Sequence, residues 1–220
     1  MDNLPSTSGR NFSFGSIIKT IASGTTIGAM VVSLMNEEQV KNIEDTLQKH
    51  KEQLEMLKEM VVGELFVNKE EYIEELKAAL RKAKDEATEE KRRLYASYLT
   101  ACCHPDNSDK GNRRIILDLV ERIDFYGIRI LKELMTRYNG KEAVDYFTSF
   151  FGGELSKNDI LIQLDYLTSY RLIEKCTQEE IERFYARLGN VKARRPSNLS
   201  FYKRTALGEA LYQFISKGLI

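Results

Sequence analysis

The stretch Ser156–Glu174, with the sequence SKNDILIQLDYLTSYRLIE, predicts a short amphipathic helix that runs into a strand. Ser156 followed three residues later by Asp159 has the spacing of a capping box, in which two side chains satisfy the first backbone groups of a helix. Apolar residues then recur at the helical spacings of three and four. The predicted buried side comprises Ile160, Leu161, Leu164, Leu167 and Leu172. The predicted exposed side comprises Lys157, Asn158, Gln163, Tyr166, Thr168 and Ser169.

The flanking sequence extends this helix into a mainly helical domain over residues 112–220. Upstream, Arg114–Tyr138 predicts one long helix or two, and Lys141–Phe151 predicts another that ends at a pair of glycines. Downstream, Phe201–Thr205 predicts a second short strand, and Ala206–Ser216 predicts a closing helix. The order is therefore three or four helices, two short strands and a last helix.

Three short phrases in this domain match a known pattern. They are L-x-x-L from Leu164, R-L-I-E from Arg171 and Y-x-x-T-x-L-G-x-x-L from Tyr202. Together they resemble winged-helix domains, whose recognition helix ends in L-x-x-L-x-x-x-G-L-I and whose second wing strand runs into a T-x-x-G-x-x-L helix. The resemblance covers roughly residues 120–218, and it implies a short two-stranded wing. The chain departs from the family at Tyr170-Arg171, where glycine is usual, and in a long wing with its own predicted helix, Gln178–Leu188.

DNA-binding winged-helix proteins place the third helix in the major groove and the wing on the backbone. Here the third helix has one lysine and two aspartates, which is a poor footprint for DNA. Positive charge lies instead in an acid-free run that is interleaved with aromatic residues. Its cations, named here the basic segment, are Arg183, Arg187, Lys192, Arg194, Arg195, Lys203 and Arg204. The basic segment predicts contact with a nucleic-acid backbone or with an acidic protein surface.

The N-terminal half contains a long helical run, Asn36–Glu64, with apolar residues at alternating spacings of three and four. The residues of this heptad seam are Val40, Ile43, Leu47, His50, Leu54, Leu57 and Val61. The seam predicts a coiled-coil pairing with a second copy or with a neighbouring helix, and we favour a homo-oligomer. His50 on the seam is expected to set register or to sit half-solvated rather than to bind metal, because no partner ligands accompany it. Further helices are expected up to residue 104, where a polar turn marks the domain boundary.

The first 35 residues differ from the rest of the chain. Residues 1–14 contain Pro, Gly, Ser and Asn and predict a disordered lead. Residues 15–35 are apolar with Gly, Ser and Thr, and Gly24 and Gly28 form a G-x-x-x-G spacing that lets two helices approach closely. The uncharged run from Thr20 to Met35 is shorter than the roughly 20 residues that span a membrane. We expect soluble helix packing, with peripheral membrane contact as the alternative.

No catalytic or metal-binding constellation is evident in the sequence. The two histidines, His50 and His104, stand apart, and adjacent Cys102 and Cys103 point in different directions on a helix. Three cysteines without a disulfide framework favour a reducing cytoplasmic setting, with membrane association as the alternative. We therefore expect no enzyme activity, no metal and no cofactor.

Charge distribution and pattern together give the functional hypotheses. The chain is neutral overall, but residues 36–104 have 16 acidic and 12 basic residues, and residues 175–220 have 9 basic and 4 acidic residues. The fold class expected is mainly α, with an N-terminal coiled-coil region and a C-terminal winged-helix-like domain. The function expected is that of a non-enzymatic, oligomeric interaction or regulatory protein. The alternatives are a DNA-binding transcriptional regulator and a membrane-associating effector that acts through residues 15–35.

Overall fold

A computed structural model describes residues 11–13, 35–60, 66–104, 110–138, 142–187 and 200–216. The chain divides into two compact units, the first Met1–Arg122 with Phe214–Ile220 and the second Ile123–Gln213. The boundary between the two units falls after Arg122, whereas the sequence predicts that the C-terminal domain starts at residue 112. The segment between 112 and 122 therefore belongs to the first unit.

The described residues form nine helices and four short strands. The first unit contains strand β1 Asn11–Ser13, helix α1 Glu37–Met60, strand β2 Phe66–Asn68 and helices α2 Lys69–Ala83, α3 Glu89–Cys102 and α4 Lys110–Arg122. The second contains helices α5 Phe125–Thr136, α6 Ala143–Phe151 and α7 Lys157–Ser169, strand β3 Ile173–Lys175, helix α8 Gln178–Arg187, strand β4 Tyr202–Arg204 and most of helix α9 Ala206–Ser216. The predicted mainly helical fold and the small antiparallel sheet β3–β4 are confirmed.

The first 35 residues are described only at β1 and at Met35. Strand β1 pairs antiparallel with β2, with Phe12 opposite Val67. The other residues of the predicted disordered lead lie outside the described residues. The predicted packing glycines Gly24 and Gly28 lie outside the described residues. Within the described ranges, no helix has the length and hydropathy of a membrane span.

The first unit is a helical layer in which α1 and α2 both pack on α3. A polar network crosses this core. His50 of α1 is 0% exposed, its Nδ1 lies 2.9 Å from Thr100 Oγ1, and its Nε2 lies 2.8 Å from the Tyr72 hydroxyl. Next to it, Gln53 donates to the Ser97 hydroxyl at 3.0 Å. Buried polar groups that all find partners fix the register of the helices, because a shifted helix leaves them unpaired.

The heptad seam has a partner within its own chain. Ile43, His50, Leu54 and Leu57 are buried, whereas Val40 and Leu47 are half-buried and Val61 lies outside the described residues. Helix α3 packs on α1, and its Thr100 hydroxyl meets the seam residue His50. Self-association through the seam stays a prediction, and it requires these side chains to leave the packing that they have here.

Local sequence specifies where several of the helices begin and end. The long helical run Arg114–Tyr138 is two helices, α4 and α5, because Asp124 interrupts it and caps α5 by accepting the Gly127 N–H at 2.6 Å. Helix α6 ends where Gly152 adopts a φ of 59°. The predicted capping box at the start of α7 is present, with Ser156 and Asp159 exchanging hydrogen bonds. The helix predicted within the wing is confirmed as α8, Gln178–Arg187.

The turn from α7 into β3 has an unusual backbone. Arg171 has a φ of 58°, in the left-handed region that glycine occupies without strain. The Thr205 hydroxyl lies 2.7 Å from the Arg171 carbonyl and 2.8 Å from the Leu172 carbonyl, and it accepts the Gly208 N–H at 3.0 Å. Thr205 thus fastens the start of α9 to this turn. The same geometry explains why a T-x-x-G phrase follows the strand.

Replacing Arg171 by glycine is expected to stabilise the second unit by about 0.5–1 kcal/mol, because it relieves the left-handed backbone of a residue with a Cβ. The larger backbone entropy of glycine in the unfolded chain reduces this gain. Urea denaturation followed by circular dichroism measures the change. Arg171→Ala is the matched control, since it removes the charge and keeps the Cβ. An equal gain in both variants would contradict strain as the cause.

Candidate interaction surface

The exposed side of α7 is apolar at its middle. The exposed fractions are 37% for Leu161, 50% for Ile162 and 52% for Tyr166. Residues Ile160, Leu164 and Leu167 are buried on the opposite side. The six exposed residues of this surface, named here the α7 face, are Asn158, Leu161, Ile162, Asp165, Tyr166 and Ser169.

The sequence prediction for this helix was correct in part. It placed Lys157, Asn158, Tyr166 and Ser169 on the exposed side, and they are exposed, whereas Gln163 and Thr168 are half-buried. It placed Leu161 on the buried side, which is wrong, and it did not assign Ile162. A signal was present, since Ile162 and Tyr166 are four residues apart on the helix side opposite Ile160, Leu164 and Leu167.

Most charges of α7 are engaged within the second unit. Lys157 forms an ion pair with Asp145 of α6 at 2.7 Å, and this contact raises the pKa of Lys157. Asp159 accepts hydrogen bonds from the hydroxyl and the backbone N–H of Ser156, and these bonds lower the pKa of its carboxyl. Within the described part of the chain, Asp165 forms neither an ion pair nor a hydrogen bond. Its negative charge adds to the effect of burial in raising the pKa of Tyr202 on β4.

The C-terminal end of the α7 face continues into the strained turn. The rings of Tyr166 and Tyr170 meet at 5.5 Å between centroids in an edge-to-face arrangement. Arg171 follows directly, with an exposed side chain that makes no ion pair among the described residues. Tyrosine and arginine are the residue types most enriched in the energetically dominant parts of protein interfaces.

The basic segment is partly neutralised where the structure describes it. Lys203 pairs with Glu180 of α8 at 2.7 Å and with Glu174 of β3 at 3.4 Å. The bond from Lys203, with that from the Thr177 backbone N–H, lowers the pKa of Glu180 to about 2. Arg183 pairs with Glu179 at 3.2 Å. These acids precede the acid-free run in sequence, and only the tertiary structure shows that they meet its cations.

The remaining cations of the basic segment are differently placed. Arg204 donates from Nε to the Leu134 carbonyl at 3.1 Å. This hydrogen bond holds the Nε of Arg204 against α5 of the same unit. The side chain of Arg187 and the residues Lys192, Arg194 and Arg195 lie outside the described residues. The structure thus describes the side chains of only three of these cations, Arg183, Lys203 and Arg204, and contact of the basic segment with an anionic partner stays a prediction.

A cation–aromatic cluster lies on α5 and α6. The guanidinium of Arg129 is 4.7 Å from the ring centre of Phe151, 5.5 Å from that of Phe125 and 5.6 Å from that of Phe150. Glu154 holds it by an ion pair at 2.8 Å. Arg129 thus fills the space between the three rings with a cation from its own chain, and it joins α5 to the end of α6.

Two titratable groups in the core of the first unit have pKa values that burial shifts far from the usual ones. Burial lowers the pKa of His50 to about 3, and burial raises the pKa of Cys103 to about 12. A neutral imidazole and a protonated thiol at neutral pH are poor candidates for acid–base or nucleophilic chemistry. Across the described ranges, no three His, Cys, Asp or Glu residues converge into a possible metal site.

Comparisons with models of known protein families, with curated proteins and with solved structures give no match to this chain.

Proposed function

We propose that this chain is a protein-interaction module whose second unit binds a partner protein through the α7 face. The single observation that carries the proposal is the exposure of Leu161, Ile162 and Tyr166 side by side on one helix. Apolar and aromatic side chains that stay in water on one helix face gain free energy when a partner covers them. Regulation through a bound partner, rather than catalysis, is the role that this surface supports.

The charges of α7 favour a protein partner over duplex DNA. Its one cation, Lys157, is paired with Asp145, and its two acids, Asp159 and Asp165, are exposed. Binding to DNA requires cations that replace the counterions of the phosphates. The winged-helix resemblance is compatible with this proposal, because that fold also serves protein recognition.

Site-specific photo-crosslinking tests the proposal. With p-benzoylphenylalanine in place of Tyr166, irradiation of cells that produce the full chain is expected to give a covalent adduct with a polypeptide. The same residue in place of Glu209, which is exposed on α9, is the matched control and is expected to give none. Ile162→Asp should remove the adduct from position 166 while leaving the free energy of unfolding within about 0.5 kcal/mol, since it changes an exposed side chain.

A gel-shift measurement with random-sequence duplex DNA at about 50 mM salt addresses the alternative. The intact chain is expected to leave the mobility of the duplex unchanged, or to shift it in a manner that Ile162→Asp does not alter. Retardation that Ile162→Asp abolishes would assign the α7 face to nucleic acid and overturn the proposal. Absence of any polypeptide adduct from position 166 would overturn it as well.

A further inference from the structure

We propose that the partner covers the α7 face with an amphipathic helix that places a lysine or arginine opposite Asp165. The inference rests on the proposed function and names the chemistry of the partner. It follows from the position of one carboxylate beside exposed apolar side chains, from the like charges that a second copy would bring together and from the backbone hydrogen bonds that the occupant needs.

Asp165 lies at the middle of the α7 face. It is three residues after Ile162 and four after Leu161, so helical geometry places it beside these two exposed apolar side chains. It has no ion-pair or hydrogen-bond partner in the described part of its own chain. A purely apolar partner would strip water from this carboxylate without replacing the lost interactions, which is strongly unfavourable. A cation on the partner removes this penalty and makes the interaction selective.

A second copy of this chain does not meet the requirement. The six residues of the α7 face are centred between Gln163 and Leu164, and Asp165 is about 2 Å from that centre along the helix axis. Two-fold antiparallel pairing would bring the two Asp165 carboxylates to about the same level in the interface. Parallel pairing would place them opposite each other. In both cases like charges meet in a desolvated site, and each disfavours ionisation of the other.

A helix is the occupant that the surface favours. The face is a helical ridge about 17 Å long, and its own backbone groups are engaged within α7. A partner segment that covers apolar side chains here receives no backbone hydrogen bonds from α7, so it must satisfy its own. A helix does this internally, and its side chains pack between the ridges of α7 at this spacing.

Two matched peptides test the inference with the full chain. Both are fluorescein-labelled amphipathic helices of about 18 residues with a leucine stripe, and they differ only in a central lysine or glutamate on the stripe. By fluorescence anisotropy, the lysine peptide is expected to bind about tenfold more tightly than the glutamate peptide. Asp165→Lys is expected to reverse this preference. Glu209→Lys, the matched charge change on another exposed surface of the same unit, should leave it unchanged.

Equal affinity for the two peptides, or a lysine preference that survives Asp165→Lys, overturns the charge selection proposed here. The photo-crosslink from position 166 separates this failure from failure of the proposed function. An adduct that persists in Asp165→Lys keeps the interaction module and overturns the charge selection. An adduct at twice the mass of the chain assigns the face to a second copy and overturns the inference, and absence of an adduct overturns both.

Discussion

Replacing Gly208 by alanine is expected to destabilise the second unit by about 3 kcal/mol, although alanine is the better helix former. A Cβ at this position would lie 2.0 Å from the Leu172 carbonyl oxygen and 2.8 Å from Met135 Cε. The first contact is with backbone, so α9 must shift away from the turn at Arg171. That shift also strains the hydrogen bonds that Thr205 makes to this turn and to the Gly208 N–H.

The sign of the change makes the measurement decisive. At a helix position without steric conflict, glycine to alanine stabilises by about 1 kcal/mol. Urea denaturation followed by circular dichroism gives the free energy of unfolding of both proteins. Glu209→Ala on the exposed side of the same helix is the control and is expected to change it by less than about 0.5 kcal/mol. Stabilisation by Gly208→Ala would contradict the close approach of α9 to the turn.

Acidification is expected to destabilise the first unit through His50. Burial lowers the pKa of His50 from 6.5 to about 3, because the charged imidazole loses its hydration. The unfolded chain therefore binds a proton below about pH 6.5 that the folded chain does not bind until about pH 3. The stabilisation is complete above pH 6.5 and is lost as the pH falls, at about 1.4 kcal/mol per pH unit. Between pH 6.5 and 5, before most carboxylates titrate, the free energy of unfolding should fall by about 2 kcal/mol.

A pair of histidine variants isolates this contribution. His50→Gln is expected to destabilise the protein at neutral pH but to remove the slope between pH 6.5 and 5, since glutamine does not titrate. His104→Gln, at the half-buried histidine beyond α3, should keep the slope. The hydrogen-bond partner Tyr72 does not contribute, because burial raises its pKa well above the usual value and it stays neutral. A slope that persists in His50→Gln would assign the effect to other groups.

The elements whose signals are local were predictable from sequence. The capping box of Ser156 and Asp159 specifies the start of α7 because both partners lie within one turn. Asn68 caps α2 in the same way by accepting the N–H groups of Glu70 and Glu71. Periodicity identified the helical runs, and the predicted helix Gln178–Leu188 is present as α8, Gln178–Arg187. These signals involve neighbouring residues, so no knowledge of the tertiary arrangement is needed.

The partners of the predicted surfaces required the tertiary structure. A heptad seam specifies an apolar stripe but not the helix that covers it, and α3 of the same chain packs on α1 here. The basic segment contains no acid in sequence, yet Lys203 and Arg183 meet acids that precede the run. Leu161 and Ile162 are apolar, and the inward packing of Ile160 and Leu164 leaves them facing water.

In the stretch Ser156–Glu174, local sequence and tertiary packing determine different features. By itself it determined a capped helix that ends in a turn and a strand, because hydrogen bonds and apolar spacing within nineteen residues are sufficient for that outcome. The tertiary structure decided that Arg171 has a φ of 58° in this turn, where its carbonyl accepts a hydrogen bond from the Thr205 hydroxyl. It also decided which side of α7 is left for a partner, because burial depends on neighbours that are distant in sequence.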